Sequence, residues 1–468
     1  MSLRFALSSR WFTRIAVGCA MLAMAATASA RTRPHYGGTL RVDVEGDPLR
    51  RPDGIALRLV LDGLTRMDDD GAVRPSLAVR WASENGNHRW QFWLRTGVNF
   101  HNNRPLNGTE IVASLEDACH ASACPWTTVR ALGQSVIFTS DNAIPDLPAV
   151  LAGSEYLIRE SMSQSSGDGT DDAASIVGTG AFRVKNASNN SLRLEANDDC
   201  WQGRPFADAI EIVGRRAVRD EWMDLSLGKA DIVEVHPSDI RQARQQRMNV
   251  VVSPPATLLE LEVHTTALAP QLRAALALAV DRAALYQVIF QKQGEATASL
   301  LPASLSGYSF LFPVDRDLSR AQVLRGGLST PPLSLAVDGT GAMQLAAERL
   351  ALNLHDADFT VRVIPPAPNG FVPSSDLVLR ALPLSGGTPA EALDAMLRKF
   401  GSNAPSAARD LDATYKAERN FLDQHGVIPL LYLPRAWAVG SRMRDLRLMA
   451  DGVPDLANVS LTGGEAAP

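Results

Sequence analysis

The chain has 468 residues, of which 46% are hydrophobic and 21% charged, with a formal net charge of −5. A single hydrophobic core stops growing at roughly 250–300 residues, so two or more lobes are expected. Mild acidity with both signs mixed along the chain disfavours nucleic acid as the partner, because nucleic-acid-binding surfaces carry basic stripes interleaved with aromatic side chains.

The first thirty residues have the pattern of a secretory signal. Three arginines precede a short apolar run, and Ala28-Ser29-Ala30 fits a signal-peptidase site. The run is shorter than the ~20 apolar residues that span a bilayer. We predict cleavage after residue 30 and a periplasmic mature protein of 438 residues, whose net charge changes from −5 to −8 because three arginines and no acids are removed. Lipidation at Cys19 is the alternative, although the apolar run continues past it.

Short strands and helices alternate along the first half, which is typical of an α/β architecture. A Ser/Gly/Asp-rich stretch over 163–172 predicts a surface loop. In chain order, the predicted elements are a strand at 38–44, a helix at 55–64, a strand at 90–95, a helix at 109–118, and strands at 181–184 and 192–195 around a turn at 186–190.

The second half begins after Pro254-Pro255, which predicts a break in the chain. The pattern from 333 to 364 predicts a β-α-β unit. No Pro/Ser linker divides the halves, so we expect two lobes of one protein. The predicted elements are strands at 258–263, 333–337, 360–364, 376–379 and 427–433, and helices at 270–289, 343–354 and 408–424.

Three cysteines follow the predicted signal. Cys119 and Cys124 are close enough in sequence to form a local disulfide in an exported protein, which leaves Cys200 as a buried thiol. Zinc binding is an alternative, but only His120 lies nearby as a further ligand. We expect no metal and no cofactor.

Seven sequence blocks, in the same order, resemble the family 5 extracellular solute-binding proteins, which are the dipeptide, oligopeptide and nickel receptors of ABC importers. The blocks appear in family order from Gly37 to about Leu461, which is nearly the whole mature chain. They are GGTL at 37–40, DGLT at 62–65 with PSLAVRW at 75–81, WQFWLRTGVNFH at 90–101, GTGAF at 178–182, NDDCWQGRP at 197–205, LRAA at 272–275 with VDR at 280–282, and VIPL at 427–430.

The resemblance implies a two-lobed α/β periplasmic-binding-protein fold of type II, with a hinge between the lobes and an extra domain inserted in the first lobe. It implies a monomer that delivers a peptide-like or other small solute to ABC permease subunits and meets the membrane only through the permease. The implied boundaries are 31–58, 175–258 and 436–468 for the first lobe, 59–174 for the inserted domain, and 259–435 for the second lobe.

Peptide-binding members carry a segment like W-x-x-D-x-x-x-P in the second lobe, whose Asp pairs with the α-ammonium group of the peptide. With Pro389 as the register, that Asp falls on Ser385 and the Trp on Leu382. A neutral serine supplies no charge, which argues against free-amine peptides unless Glu45 or Asp47 compensates. The candidate ligand-binding residues are Glu45, Gly46, Asp47, Arg380 (for a carboxylate), Leu382, Ser385 and Trp437 (for stacking).

Two other functions stay open. A secreted hydrolase would need catalytic groups, but the sequence has neither a Gly-x-Ser-x-Gly elbow nor a His-Glu-x-x-His pair, so we do not predict an enzyme. A sensor or scaffold on the same fold, without transport, is favoured by the departures at Leu382 and Ser385.

Overall fold

The computed structural model describes residues 35–48, 54–69, 71–121, 124–160, 176–188, 190–265, 268–328, 330–339, 341–365, 372–402 and 410–462. The predicted signal sequence and the predicted loop at 163–172 lie outside the described residues.

Nineteen strands occur in the described residues. They are β1 (Thr39–Val44), β2 (Thr65–Met67), β3 (Val73–Pro75), β4 (Ala78–Glu84), β5 (Arg89–Leu94), β6 (Thr128–Leu132), β7 (Ser135–Thr139), β8 (Phe182–Ala187), β9 (Ser191–Ala196), β10 (Ala209–Gly214), β11 (Ile232–Val235), β12 (Asn249–Val263), β13 (Glu295–Ala296), β14 (Leu333–Val337), β15 (Val361–Ile364), β16 (Leu377–Pro383), β17 (Val427–Val439), β18 (Met443–Arg444) and β19 (Ser460–Leu461).

The α-helices of the same residues are mostly short. They are α1 (Leu57–Val60), α2 (Gly108–Ala121), α3 (Leu147–Val150), α4 (Val218–Ser226), α5 (Ile240–Gln245), α6 (Pro270–Ala279), α7 (Arg282–Ala284), α8 (Ala303–Ser306), α9 (Leu318–Arg325), α10 (Ala342–His355), α11 (Pro389–Lys399) and α12 (Leu411–Leu422).

One large sheet runs through both lobes in the order β15-β14-β16-β12-β17-β11-β1-β10-β9-β8, with β13 added beside β17. The strands β1, β10 and β11 are parallel, as are β14, β15 and β16. The β-α-β unit predicted from 333 to 364 is confirmed, because β14 and β15 pair in parallel on either side of α10. The inserted domain has its own sheet, β4-β5-β7-β6.

Two long antiparallel strands, β12 and β17, connect the lobes. Their pairing shifts register on both sides of Pro255, which lies opposite Pro434. Neither proline has a backbone N–H for the ladder, so the sheet is locally weakened there. The structure thus corrects the predicted break at Pro254-Pro255: the prolines lie inside a strand, at the crossing point between the lobes.

Separate hydrophobic cores form in the two lobes and the inserted domain. The second-lobe cores draw on residues between Leu258 and Leu433. The inserted-domain core runs from Leu64 to Ile158. The first-lobe cores combine β1, β8 to β11 and the C-terminal segment, and they also take in Leu59–Leu61. The predicted domain boundaries themselves stay a prediction.

Two predicted helices are shorter than expected. The first ends at Val60, because Leu61 is extended with φ −119° and ψ 148°. The second ends at Ala279, because Val280 is extended with ψ 128°. The side chain of Asp281 then caps a new turn by accepting from the Ala284 N–H at 2.9 Å. Apolar periodicity continues across this break, so the pattern alone predicts one helix.

Candidate functional site

A cavity of about 410 Å³ lies where the inserted domain meets both lobes. This volume is within the ~300–1,000 Å³ of small-molecule sites. Four segments distant in sequence form its walls. They are 55–67 from the start of the inserted domain, 149–157 around the end of α3, 383–398 from the second lobe, and 449–458 from the C-terminal part of the first lobe.

The hinge strands also reach the cavity. Pro254, Pro255 and Ala256 line it. On the first-lobe side of the crossing, the Arg435 N–H donates to Ser253 Oγ at 2.9 Å. Bending at this point would therefore change the shape of the cavity directly.

One buried carboxylate, that of Asp62, organises the inserted-domain wall. Thr179 Oγ1 donates to Asp62 Oδ2 at 2.8 Å, and Trp201 Nε1 donates to the same oxygen at 2.9 Å. Gln202 Nε2 donates to Oδ1 at 3.0 Å. Burial raises the pKa of Asp62, against the lowering effect of these hydrogen bonds. Three of the blocks that identify the family thus meet at a single side chain.

The GTG block fits against this wall because its glycines have no Cβ. A Cβ on Gly178 would lie 2.1 Å from the carbonyl oxygen of Val60, and one on Gly180 would lie 2.6 Å from that of Leu59. His101 also contacts the block, with Nε2 3.0 Å from the Gly180 carbonyl oxygen. The motif therefore allows two backbone segments to approach closely at the cavity edge.

The second-lobe wall is a loop followed by α11. Thr388 caps the helix in a reciprocal capping box with Glu391. Glu391 Oε2 accepts from the N–H groups of Gly387 and Thr388, both at 3.1 Å. Burial raises the pKa of Glu391, and the nearby carboxylate of Asp146 raises it further. Glu391 is thus occupied by the backbone of its own lobe.

Of the other charged groups on the cavity wall, some are already paired. Arg58 forms an ion pair with Asp451 at 2.8 Å. Asp455 accepts a hydrogen bond from Asn458 Nδ2 at 2.8 Å. By contrast, the guanidinium groups of Arg66 and Arg398, which line the cavity, have no hydrogen bond or ion pair in the part of the chain that the structure describes.

Ser385 alone, of the seven predicted ligand-binding residues, lines the cavity. Glu45, Gly46 and Asp47 lie at the end of β1, where Asp47 pairs with Arg215 at 3.2 Å and the Glu45 N–H donates to Glu234. The cavity wall of the first lobe comes instead from its C-terminal segment.

The remaining three predicted residues also lie outside this cavity, and the stacking role predicted for Trp437 is corrected by its burial. Arg380 pairs with Glu262 at 3.2 Å on the sheet. Leu382 packs against a second-lobe core. Trp437 is fully buried in the first-lobe core, and its Nε1 donates to the Gly452 carbonyl oxygen at 3.0 Å. The indole therefore has no face available for stacking on a ligand.

Sequence reasoning missed Asp62, Arg66, Glu391 and Arg398. Asp62 and Arg66 belong to or directly follow the DGLT block, so the block itself was a usable signal. Arg398 lies at the end of an amphipathic helix, where a basic residue is ordinary. Its position at a cavity depends on tertiary packing and leaves no local pattern.

Cys119 and Cys124 form a disulfide, with their Cα atoms 5.3 Å apart, and Cys200 is a buried free cysteine. The described residues contain no group of three or more His, Cys, Asp or Glu side chains that could hold a metal ion. No helix among them is long and apolar enough to cross a bilayer.

The continuous sheet through two lobes, the inserted domain and the enclosed cavity define a two-lobed solute-binding protein. The family model for bacterial extracellular solute-binding proteins, family 5, matches residues 72–325. The chain belongs to this family, and the predicted family and fold class are confirmed.

Solved structures share the fold at low sequence identity. The murein tripeptide binding protein MppA of Escherichia coli superposes with a TM-score of 0.80 at 15% identity, over 92% of this chain and 100% of its own. AgaA of A. tumefaciens R10, in complex with agropinic acid, gives 0.78 at 17%, over 92% and 99%. DppA of Helicobacter pylori, in complex with the peptide STSA, gives 0.76 at 16%, over 92% and 99%.

A curated relative has a different role by name. The HTH-type transcriptional regulator SgrR of Escherichia coli K12 is 28% identical over 201 residues, which is 40% of this chain and 34% of the regulator. The chain therefore spans about a third of the length of the curated relatives it matches.

Proposed function

We propose that this protein is the extracytoplasmic receptor of an ABC importer. It binds a small solute in the cavity between its lobes and presents the closed form to the permease. The observation that carries the proposal is the cavity itself, whose walls come from the inserted domain and from both lobes. A ligand that touches all three walls has differential affinity for the closed arrangement and stabilises it.

Binding without catalysis is part of this proposal. The family is defined by solute binding, and the carboxylates of the cavity wall that are best placed to act as acids or bases, Asp62 and Glu391, are occupied by hydrogen-bond donors of the protein. We further propose that residues 1–30 are removed on export and that the protein acts as a monomer in the periplasm.

A ligand screen by thermal shift tests the proposal. A solute that binds only the folded protein raises stability by RT ln(1 + [L]/Kd), about 2.7 kcal/mol at a hundredfold excess over Kd. A saturable shift that is abolished by Ala395→Trp, which fills the cavity, supports a receptor. A saturable shift that Ala395→Trp leaves unchanged would contradict binding in this cavity.

A second candidate is a solute sensor without transport. It is favoured by the name of the curated relative, a transcriptional regulator. Deleting the gene separates the two functions. Loss of labelled ligand uptake supports the importer receptor, whereas retained uptake with a lost response to the ligand supports the sensor.

A further inference from the structure

We propose that the cavity takes a solute with an oxyanion, a carboxylate or a phosphate, which is held between Arg66 of the inserted domain and Arg398 of the second lobe. The inference rests on the proposed receptor function and specifies its ligand class. It follows from which charged groups of the cavity wall are already engaged by the protein and which are not.

The formal charges of the described lining residues would by themselves favour a cation, since three arginines stand against five carboxylates among them. The hydrogen bonds and ion pairs that these carboxylates already form within the protein reverse this expectation. Asp62 accepts three side-chain hydrogen bonds. Glu391 accepts two from the backbone. Asp451 is neutralised by Arg58 at 2.8 Å.

Of the two remaining carboxylates, one accepts a hydrogen bond and the other, the exposed Glu155, acts on a neighbour only through its charge. Asp455 accepts from Asn458 Nδ2. The negative charge of Glu155 acts on Lys399, where it opposes the lowering of the lysine pKa by burial. The acceptors of the wall are therefore largely used within the protein.

The free donors are the two arginines. Each guanidinium carries five N–H groups in a planar fork that matches a carboxylate or phosphate in a bidentate pair. Arg66 is exposed and Arg398 is half-buried, and neither guanidinium has a hydrogen bond or ion pair among the described residues, although the charge of Arg66 acts to lower the pKa of Asp62 and of Asp68. Ser385, on the same second-lobe wall, is neutral and adds no negative charge to the cavity.

The positions of the arginines also connect the ligand to closure. Arg66 lies on β2 and Arg398 near the end of α11, so they belong to different bodies. Two like charges that approach across a cleft repel each other, and an anion between them removes the repulsion and adds two attractive pairs. An oxyanion would therefore favour the closed form, as a receptor requires.

The test is a titration of the mature protein with matched solutes. The anionic set is succinate, glutarate and N-acetylalanine for carboxylates, and glycerol 3-phosphate and glucose 6-phosphate for phosphates. The neutral set is N-acetylalanine amide, glycerol and glucose, and the cationic set is alanine amide and putrescine. We expect saturable binding of at least one anionic solute and none of its neutral match. Which of the two anionic groups binds identifies the source of the oxyanion.

Variants then assign the binding to the two arginines. Arg66→Gln and Arg398→Gln should each weaken that anion about tenfold to a hundredfold, the range for hydrogen bonds to charged groups. Arg241→Gln, which removes an exposed arginine remote from the cavity, should change affinity less than about twofold. Neither cavity arginine has a side-chain hydrogen bond or ion pair to lose among the described residues, so nearly unchanged unfolding temperatures are expected and are checked in parallel.

The outcomes separate the inference from the receptor proposal. Binding of a neutral or cationic solute only, or anion binding that both variants leave unchanged, overturns the inference and retains the receptor. If no solute of the three sets binds although the protein is folded, both the inference and the receptor proposal are overturned.

Discussion

Replacing Glu221 by Gln should remove a pH dependence of stability that is built into the first lobe. Glu221 lies on α4 with 5% of its surface exposed. Burial is the main cause that raises its pKa from 4.5 to about 8, and the carboxylates of Asp43 and Glu234 raise it further, against Arg216. The folded protein therefore keeps a proton on Glu221 that the unfolded chain releases above about pH 4.5.

The sign and size of the effect follow from proton linkage. Because the folded state binds more protons, stability is lost as pH rises from 4.5 towards 8. For this one group, the free energy of unfolding falls by at most about 1.4 kcal/mol per pH unit. The pKa of Asp43 is raised to about 6, mainly by burial, so this residue also makes stability fall as pH rises, but at lower pH. A window from about pH 6.5 to about pH 7.5 lies above the titration of Asp43, and we expect Glu221 to contribute a loss of about 1 kcal/mol there.

The assay is urea unfolding of the wild type and Glu221→Gln at both ends of this window. Glutamine has the shape of the protonated acid and does not titrate, so the variant should already be more stable than the wild type near pH 6.5, and this difference should grow by about 1 kcal/mol towards pH 7.5. Glu116→Gln, at an exposed site on α2, should keep the wild-type slope. If Glu221→Gln also keeps that slope, the buried carboxylate is ionised in the folded protein and the reasoning is wrong.

Three further outcomes are expected. Gly178→Ala should lower the free energy of unfolding by about 1–3 kcal/mol, because the new Cβ would contact the Val60 carbonyl oxygen. Gly426→Ala is the control, since a Cβ there meets nothing within 4 Å, and it should leave stability nearly unchanged. Equal losses of stability in the two variants would contradict the close approach at Gly178. Ser385→Asp should weaken binding of the best anionic solute at least about tenfold in calorimetric titration, and unchanged affinity would place Ser385 away from the ligand. Breaking the disulfide with Cys119→Ser should cost about 2 kcal/mol by the loop-entropy relation, and loss of stability should disappear when both proteins are compared under reducing conditions. If the difference in stability persisted under reducing conditions, it would come from the packing of the substituted side chain and not from the disulfide.

Much of the fold was predictable from residue patterns. Residue patterns gave β5 and the β-α-β unit from β14 to β15 at nearly their true bounds, and in β5 the alternation reflects one face that is buried and one that is only partly covered. The helix predicted at 270–289 failed at Val280, whose extended backbone is imposed by the turn that Asp281 caps. The pattern of apolar residues is the same on both sides of that turn, so the sequence did not indicate that the helix ends there.

The site was less predictable than the fold. Ser385 could be placed because a family pattern supplied a register, and the cavity includes it. Arg66 and Arg398 are separated by more than three hundred residues and become neighbours of one cavity only through the packing of three bodies. Trp437 shows the converse, since a large aromatic residue near the hinge strands is used to fill a core.

The paired prolines of β12 and β17 give the molecule a mechanical property. A two-stranded ribbon with an unbroken ladder resists bending, because each hydrogen bond lost costs free energy. Where Pro255 faces Pro434, there is no donor on either side to lose. We therefore expect the strands to bend more easily at this point than along the regular ladder, so that the lobes turn about it. The solute must then supply only the difference in contacts between two lobe positions and need not melt any part of the sheet.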